Sequence, residues 1–182
     1  DAENDNVTII EDCKNVSTQR WNVSGATTVE LSESNVMTIR PMANQNLCIG
    51  NAGGQIVNGN RIQLSGCSGT DGNDSQKWFF DGVAIRLSAN PDDPYFGQIR
   101  HARDTDRCIN LKNGTASNGA NIQSQLCNDG SAQKWIIQNE QIKLAKDMGY
   151  CLALSSKEAK ENDHAHLWKC EDQTYQKWIF DV

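Results

Sequence analysis

The sequence predicts an all-β domain assembled from three copies of one short unit, and three observations carry that prediction. The first is a box: Gln76-Lys77-Trp78, Gln133-Lys134-Trp135 and Gln176-Lys177-Trp178 repeat the same three residues, and Gln19-Arg20-Trp21 is a near copy. Each of the three later boxes runs into a short apolar pair: Phe79-Phe80, Ile136-Ile137 or Ile179-Phe180. The second is cysteine spacing, since Cys48 and Cys67, Cys108 and Cys127, and Cys151 and Cys170 all stand 19 residues apart. The third is punctuation: short alternating stretches lie between Gly- and Asn-rich loops, with no long helical pattern. A unit this short cannot bury its apolar face alone, so several copies must share one core.

Taken in order, residues 1–35 form an acidic, Asn-rich lead through Val7 to Ile10, Cys13 and the first box, and read as the second half of a repeat. The constant spacing would place the partner of Cys13 before Asp1. We therefore expect Cys13 to be a free thiol or bonded to another chain. In repeat one, Met37-Thr38-Ile39-Arg40, Leu47-Cys48-Ile49 and the alternating Arg61-Ile62-Gln63-Leu64-Ser65 read as strands, with Ile62 and Leu64 inward. Trp78-Phe79-Phe80 follows, and Asp81-Gly82 predicts a hairpin turn before Val83-Ala84-Ile85. Repeat two comes after an insertion, Asn90 to Gly97, and holds strands at Cys108 to Leu111 and Asn121 to Gln125, with Asn139-Glu140 at the hairpin turn beyond its box. Repeat three runs from Tyr150-Cys151-Leu152 to Trp178-Ile179-Phe180, and its Ser156–Asp163 stretch is the one helix-like passage. On the strand His164 to Trp168, alternation sends Ala165 and Leu167 inward and His164, His166 and Trp168 outward. Within each box, the tryptophan belongs to the core, and the glutamine ties the turn that aims the next strand.

Composition narrows the function. The chain has 182 residues, 37% hydrophobic and 22% charged, with a net charge of −6. An acidic surface excludes a nucleic-acid partner, and no apolar run is long enough for membrane insertion. The seven cysteines lack any Cys-x-x-Cys, so they read as a disulfide framework, Cys48–Cys67, Cys108–Cys127 and Cys151–Cys170, formed in an oxidising compartment. Secretion or cell-surface display follows, and sequons at Asn6, Asn15, Asn22, Asn73 and Asn113 fit a glycoprotein. No Gly-x-Ser-x-Gly, phosphate loop or His-Glu-x-x-His is present. Asp92-Asp93, between Pro91 and Pro94, reads as a turn, and His164-x-His166 has no third metal ligand in view. The expectation is a non-enzymatic module without a cofactor.

Three Gln-x-Trp boxes, each with its cysteine pair, resemble the ricin B-chain type (R-type) lectins, a β-trefoil family. The resemblance covers residues 36–182, and residues 1–35 resemble the end of a preceding trefoil. It implies a pseudo-threefold barrel of six strands capped by three hairpins, with up to three shallow sugar sites, one per repeat. In that family, a site for galactose or N-acetylgalactosamine has an acid two positions after the first cysteine. A glutamine and an aromatic lie on the strand before the second cysteine, and an Asn-Gln precedes the box tryptophan. The acid takes paired hydroxyls, and the aromatic takes the apolar face of the sugar ring.

Every repeat departs from this pattern. Repeat one has Gly50 at the acid position, Ser65 at the aromatic position and Ser75 at the asparagine position, while Gln63 and Gln76 match. Repeat two keeps Gln123 and Gln133 and places Asn110 at the acid position, with Gln125 for the aromatic and Ala132 for the asparagine. Repeat three has the aromatic, Trp168, and the box glutamine, Gln176, beside Ala153, His166 and Tyr175. The resemblance implies a carbohydrate-binding module with altered sites. Trp168, His166, Tyr175 and Gln176 are one candidate site, with Tyr175 or the Ser156–Asp163 loop as alternative cover for Trp168. Asn110, Gln123 and Gln133 are the other. Its partners would be glycans or glycoproteins, with a protein partner reached through the N-terminal extension and Cys13. The alternative is a structural or protein-interaction trefoil of a larger secreted adhesin, toxin or enzyme, with no sugar site.

Overall fold

The structure, a computed structural model, describes residues 36–68, 74–84 and 95–182. The expectations for the N-terminal extension, Cys13, the first box, Asp92-Asp93 and the sequons at Asn6, Asn15, Asn22 and Asn73 lie outside these residues. The described chain is all-β. Repeat one holds β1 (Thr38–Pro41), β2 (Leu47–Asn51), β3 (Ile62–Gly66) and β4 (Trp78–Ala84). Repeat two holds β5 (Tyr95–His101), β6 (Arg107–Leu111), β7 (Ala120–Leu126) and β8 (Trp135–Gln138). Repeat three holds β9 (Gln141–Leu144), β10 (Tyr150–Leu154), β11 (Ala165–Lys169) and β12 (Trp178–Asp181).

The box strand of each repeat pairs antiparallel with the first strand of the next: β4 with β5, β8 with β9, and β12 back onto β1. The remaining seams are β5 with β8, the Met37–Trp78 bridge and the Trp178 N–H donated to the Glu140 carbonyl at 2.8 Å. Six strands thus close into a barrel without a free edge. The middle strands form three hairpins, β2–β3, β6–β7 and β10–β11, each in the same register. This is a β-trefoil.

The boxes act at its core. Trp78, Trp135 and Trp178 are buried, and their indole N–H groups donate to the carbonyls of Ile49, Ile109 and Leu152 at 3.0, 3.0 and 3.1 Å. Each acceptor is the residue after the first cysteine of its repeat, so every box grips its own hairpin. The glutamine amides close the turns. Gln133 takes the Asn128 N–H and donates to the Leu126 carbonyl, both at 2.8 Å, and Gln176 does the same with Glu171 and Lys169 at 2.6 and 2.8 Å. The three expected disulfides are formed, with Cα–Cα distances of 4.9, 5.1 and 5.0 Å. Asn139 and Glu140 sit at the β8–β9 turn with φ of 52° and 63°, the backbone of a two-residue hairpin.

Two local expectations are corrected. Asp81-Gly82 does not turn: β4 runs straight on to Ala84, and Tyr95 to Gly97, expected in an insertion, belong to β5. Gly82 lies opposite Gly97 in this ladder, and a Cβ on Gly97 would fall 2.3 Å from the Gly82 Cα. The glycine serves close backbone approach rather than a turn. Ser156–Asp163 is not helical either. It is a loop drawn in by Asp163, whose carboxylate accepts the Ser156 N–H at 3.0 Å and the Ser156 hydroxyl at 2.8 Å. Positive φ at Ala159 (48°) and Asn162 (64°) breaks any helical path there.

Candidate functional site

The shared register makes the three site positions directly comparable. The acid position faces the strand-glutamine position in each hairpin: Gly50 opposite Gln63, Asn110 opposite Gln123, and Ala153 opposite His166. The aromatic position faces the first cysteine: Ser65 opposite Cys48, Gln125 opposite Cys108, and Trp168 opposite Cys151.

Repeat one is filled by its own chain. A Cβ on Gly50 would lie 2.8 Å from the Gln76 Cγ and 2.9 Å from the Ser75 carbonyl oxygen, so the box turn rests on bare backbone. The Ser65 hydroxyl, at the aromatic position, accepts the Gln76 amide at 2.6 Å. Gln63 is half-buried, and its amide donates to Asn162 Oδ1 of repeat three at 3.3 Å.

Repeat two is polar and turned upon itself. Asn110 is buried and its amide donates to the Leu111 carbonyl at 3.0 Å; Gln123 donates to Gln125 Oε1 at 3.2 Å. Gln133 is fully enclosed and also takes the Gln98 amide at 3.1 Å. The expectation that Gln133 and Gln176 face a ligand is therefore corrected: both are sealed in the core and position the turns instead. Sequence reasoning missed Gln98 and Gln141, which donate to the Asn128 and Glu171 carbonyls at 2.7 and 2.9 Å. Each stands the same distance before the first cysteine of its repeat, a signal that laying the repeats together would have shown.

Repeat three carries a column of rings. His164 and His166 meet edge-on with centroids 6.3 Å apart, and His166 lies tilted against Trp168 at 5.4 Å. Ala165 and Leu167 point into the core, as alternation requires. His166, however, is buried rather than outward, because the Trp168 ring and β10 close over it; Trp168 itself stays partly exposed. Burial pulls the His166 pKa below the ordinary histidine value, His164 lowers it further, and Asp163 pulls the other way.

Around the column stand Tyr175, which the sequence reading named, and groups that it did not single out. Tyr175 is buried and donates its hydroxyl to Glu171. Burial first, and then that carboxylate, push its pKa up to about 12. Lys157 lies over the Tyr175 ring, Nζ 5.3 Å from its centroid. It occupies the position of Gly54 and Gly114 in the other repeats, which was its legible signal. The Ser155 hydroxyl reaches both Asp163 and, at 3.3 Å, His164 Nδ1. Among the described residues no three His, Cys, Asp or Glu side chains converge as metal ligands.

The model of the ricin-type β-trefoil lectin domain matches residues 35–178. No curated protein matches the chain by sequence. Among solved structures, the designed threefold-symmetric protein ThreeFoil is similar with a TM-score of 0.65 at 12% identity, over 81% of this chain and 99% of its own. The earthworm R-type lectin C-half in complex with GalNAc aligns with a TM-score of 0.63 at 17% identity, over 81% of this chain and 98% of its own. The lectin of Polyporus squamosus, bound to a human-type influenza-binding epitope, aligns with 0.59 at 18% identity, over 80% of this chain and 48% of its own.

Proposed function

The chain belongs to the ricin-type β-trefoil lectin domain family, and from that premise we propose that it is a glycan-binding module working through repeat three. The observation that carries this reading is the partly exposed Trp168, tilted against a buried His166 in the one repeat that has an aromatic at the sugar-facing position. A partly exposed flat ring suits the apolar face of a pyranose. Residues 36–182 are the binding module, and residues 1–35, with Cys13, are its link to a neighbouring domain or chain. Galactose and N-acetylgalactosamine on glycoproteins are the first ligands to test, and the complexes of the earthworm and Polyporus lectins support that choice. The disulfides favour action outside the cell or at its surface.

Glycan titration of the parent, Trp168→Ala and Asn110→Ala tests the site. Trp168→Ala should lower affinity by on the order of thirtyfold, the effect of losing a central aromatic anchor, with the fold intact. Asn110→Ala should leave affinity unchanged. The reverse result moves the site to repeat two. A parent that binds no glycan makes the trefoil a protein-interaction or structural module.

A further inference from the structure

We propose that the repeat-three site selects glycans bearing an acidic group, a carboxylate or a sulfate ester, and that Lys157 is the residue that reads it. The inference rests on repeat three being the working site. It comes from comparing what the site offers with what a neutral sugar needs.

The acceptor of the family pattern is absent. Ala153 stands where the family pattern has a carboxylate, and it is buried. Three carboxylates of the adjoining loop and turn are engaged within the protein. Asp163 accepts the Ser156 N–H at 3.0 Å on each oxygen, the Ser156 hydroxyl at 2.8 Å and the Ser155 hydroxyl. Glu171 accepts the Tyr175 hydroxyl, and Glu158 is paired with Lys160.

The donors are not. Lys157 is exposed and has no ion-pair partner among the described residues; only the Tyr175 ring holds it. The Trp168 indole N–H meets no acceptor among the described residues, unlike those of Trp78, Trp135 and Trp178. His166 adds a ring N–H that bonds to no described group. These groups stand on adjoining elements. Ala153 faces His166 across the hairpin, Lys157 follows on the loop leaving β10, and the Thr174–Gln176 turn packs against β10.

A neutral pyranose brings hydroxyls that must donate as well as accept, and the carboxylate that the family pattern offers for donation is replaced here by Ala153. An acidic substituent brings acceptors only, with a charge that Lys157 answers by a charge-assisted bond. Gly54 and Gly114 hold the equivalent positions in repeats one and two, and the Lys146 ammonium beside Gly114 is tied to that glycine's carbonyl.

The test uses the whole chain and three matched ligands: a galactose-terminated oligosaccharide, its sulfate ester and its sialylated form. At least one acidic form should bind about tenfold or more tighter than the neutral one, and which form does so identifies the source of the charge. That preference should shrink between about 50 and about 500 mM salt. Lys157→Gln should bring the affinity for the acidic form down to that for the neutral one. Equal affinity for neutral and acidic forms, or a preference that survives Lys157→Gln, overturns the proposal. If neutral binding is lost in Trp168→Ala but no acidic preference exists, this proposal alone fails. If no ligand binds the parent, the reading of the site fails with it.

Discussion

Repeats one and three are fastened inside by the same devices and present opposite surfaces. Each has a buried box tryptophan bonded to the residue after its first cysteine, a box glutamine that ties its turn, and a bridge between β-hairpin strands in one register. Yet at the sugar-facing positions repeat one has Gly50, Gln63 and Ser65, closed over by its own box turn. Repeat three has Ala153, His166 and Trp168, with a ring left partly open. Repeat one also places Asn51 in the core where the others have Leu111 and Leu154, and its amide finds no partner among the described residues. The lesson is that the fold is held by residues pointing inward from the box, while the proposed binding uses a separate set. Repeats can then lose or alter a site without loosening the trefoil.

The largest expected effect tests whether the interior of the two repeats is equivalent. Trp78→Ala and Trp178→Ala should each destabilise by about 3–5 kcal/mol, because each empties a buried site and orphans a carbonyl on its own hairpin. Urea unfolding should remain one transition in both. A second transition in either variant would show that its repeat unfolds alone, and the shared core would not be shared.

Next in size is the contact that closes repeat one. Gly50→Ala should cost about 1–3 kcal/mol, because its Cβ would press on the Ser75 carbonyl at 2.9 Å and backbone yields poorly. Repeat three carries that same Cβ natively in Ala153. Urea midpoints of parent and variant decide it. A neutral Gly50→Ala would mean that repeat one has room, and its closure would not explain the missing site.

How much of this was legible follows from which residues do the holding. The boxes, the 19-residue spacing and the strand alternation are repeated three times, so tryptophans, disulfides and hairpins could be placed from sequence. Asp81-Gly82 misled because a turn dipeptide and a close-approach glycine look alike without the strand opposite; Gly97 was the missing half. Ser156–Asp163 misled because its charges suggest a solvated helix, whereas Asp163 bonds back to Ser155 and Ser156. In the site, Trp168 was readable from alternation. The burial of His166, the Tyr175–Glu171 bond and Lys157 over the Tyr175 ring depend on side-chain packing between segments, which no local pattern encodes.

The smallest expected effect separates the same two repeats by pH. His166 occupies the position of Gln63 in repeat one and Gln123 in repeat two, which do not titrate. Its pKa is lowered by burial and then by His164, against an opposing pull from Asp163; Ala153 on β10 and Asn121 on β7, which face it across the sheet, carry no titratable group. A lowered pKa means that the unfolded chain takes up a proton before the folded one does. Stability from this group is therefore full above the ordinary histidine value of about 6.5 and is lost as pH falls below it toward the folded value. His166→Gln writes in the residue of the other repeats, so it should remove this part of the acid sensitivity. Urea unfolding of parent and variant at about pH 7.5 and about pH 5 measures the difference. An equal loss of stability in both would show that His166 is not held neutral by its surroundings. Binding should run the other way for an acidic glycan. A negative group beside His166 favours its protonated form, so affinity should rise on acidification in the parent and not in His166→Gln.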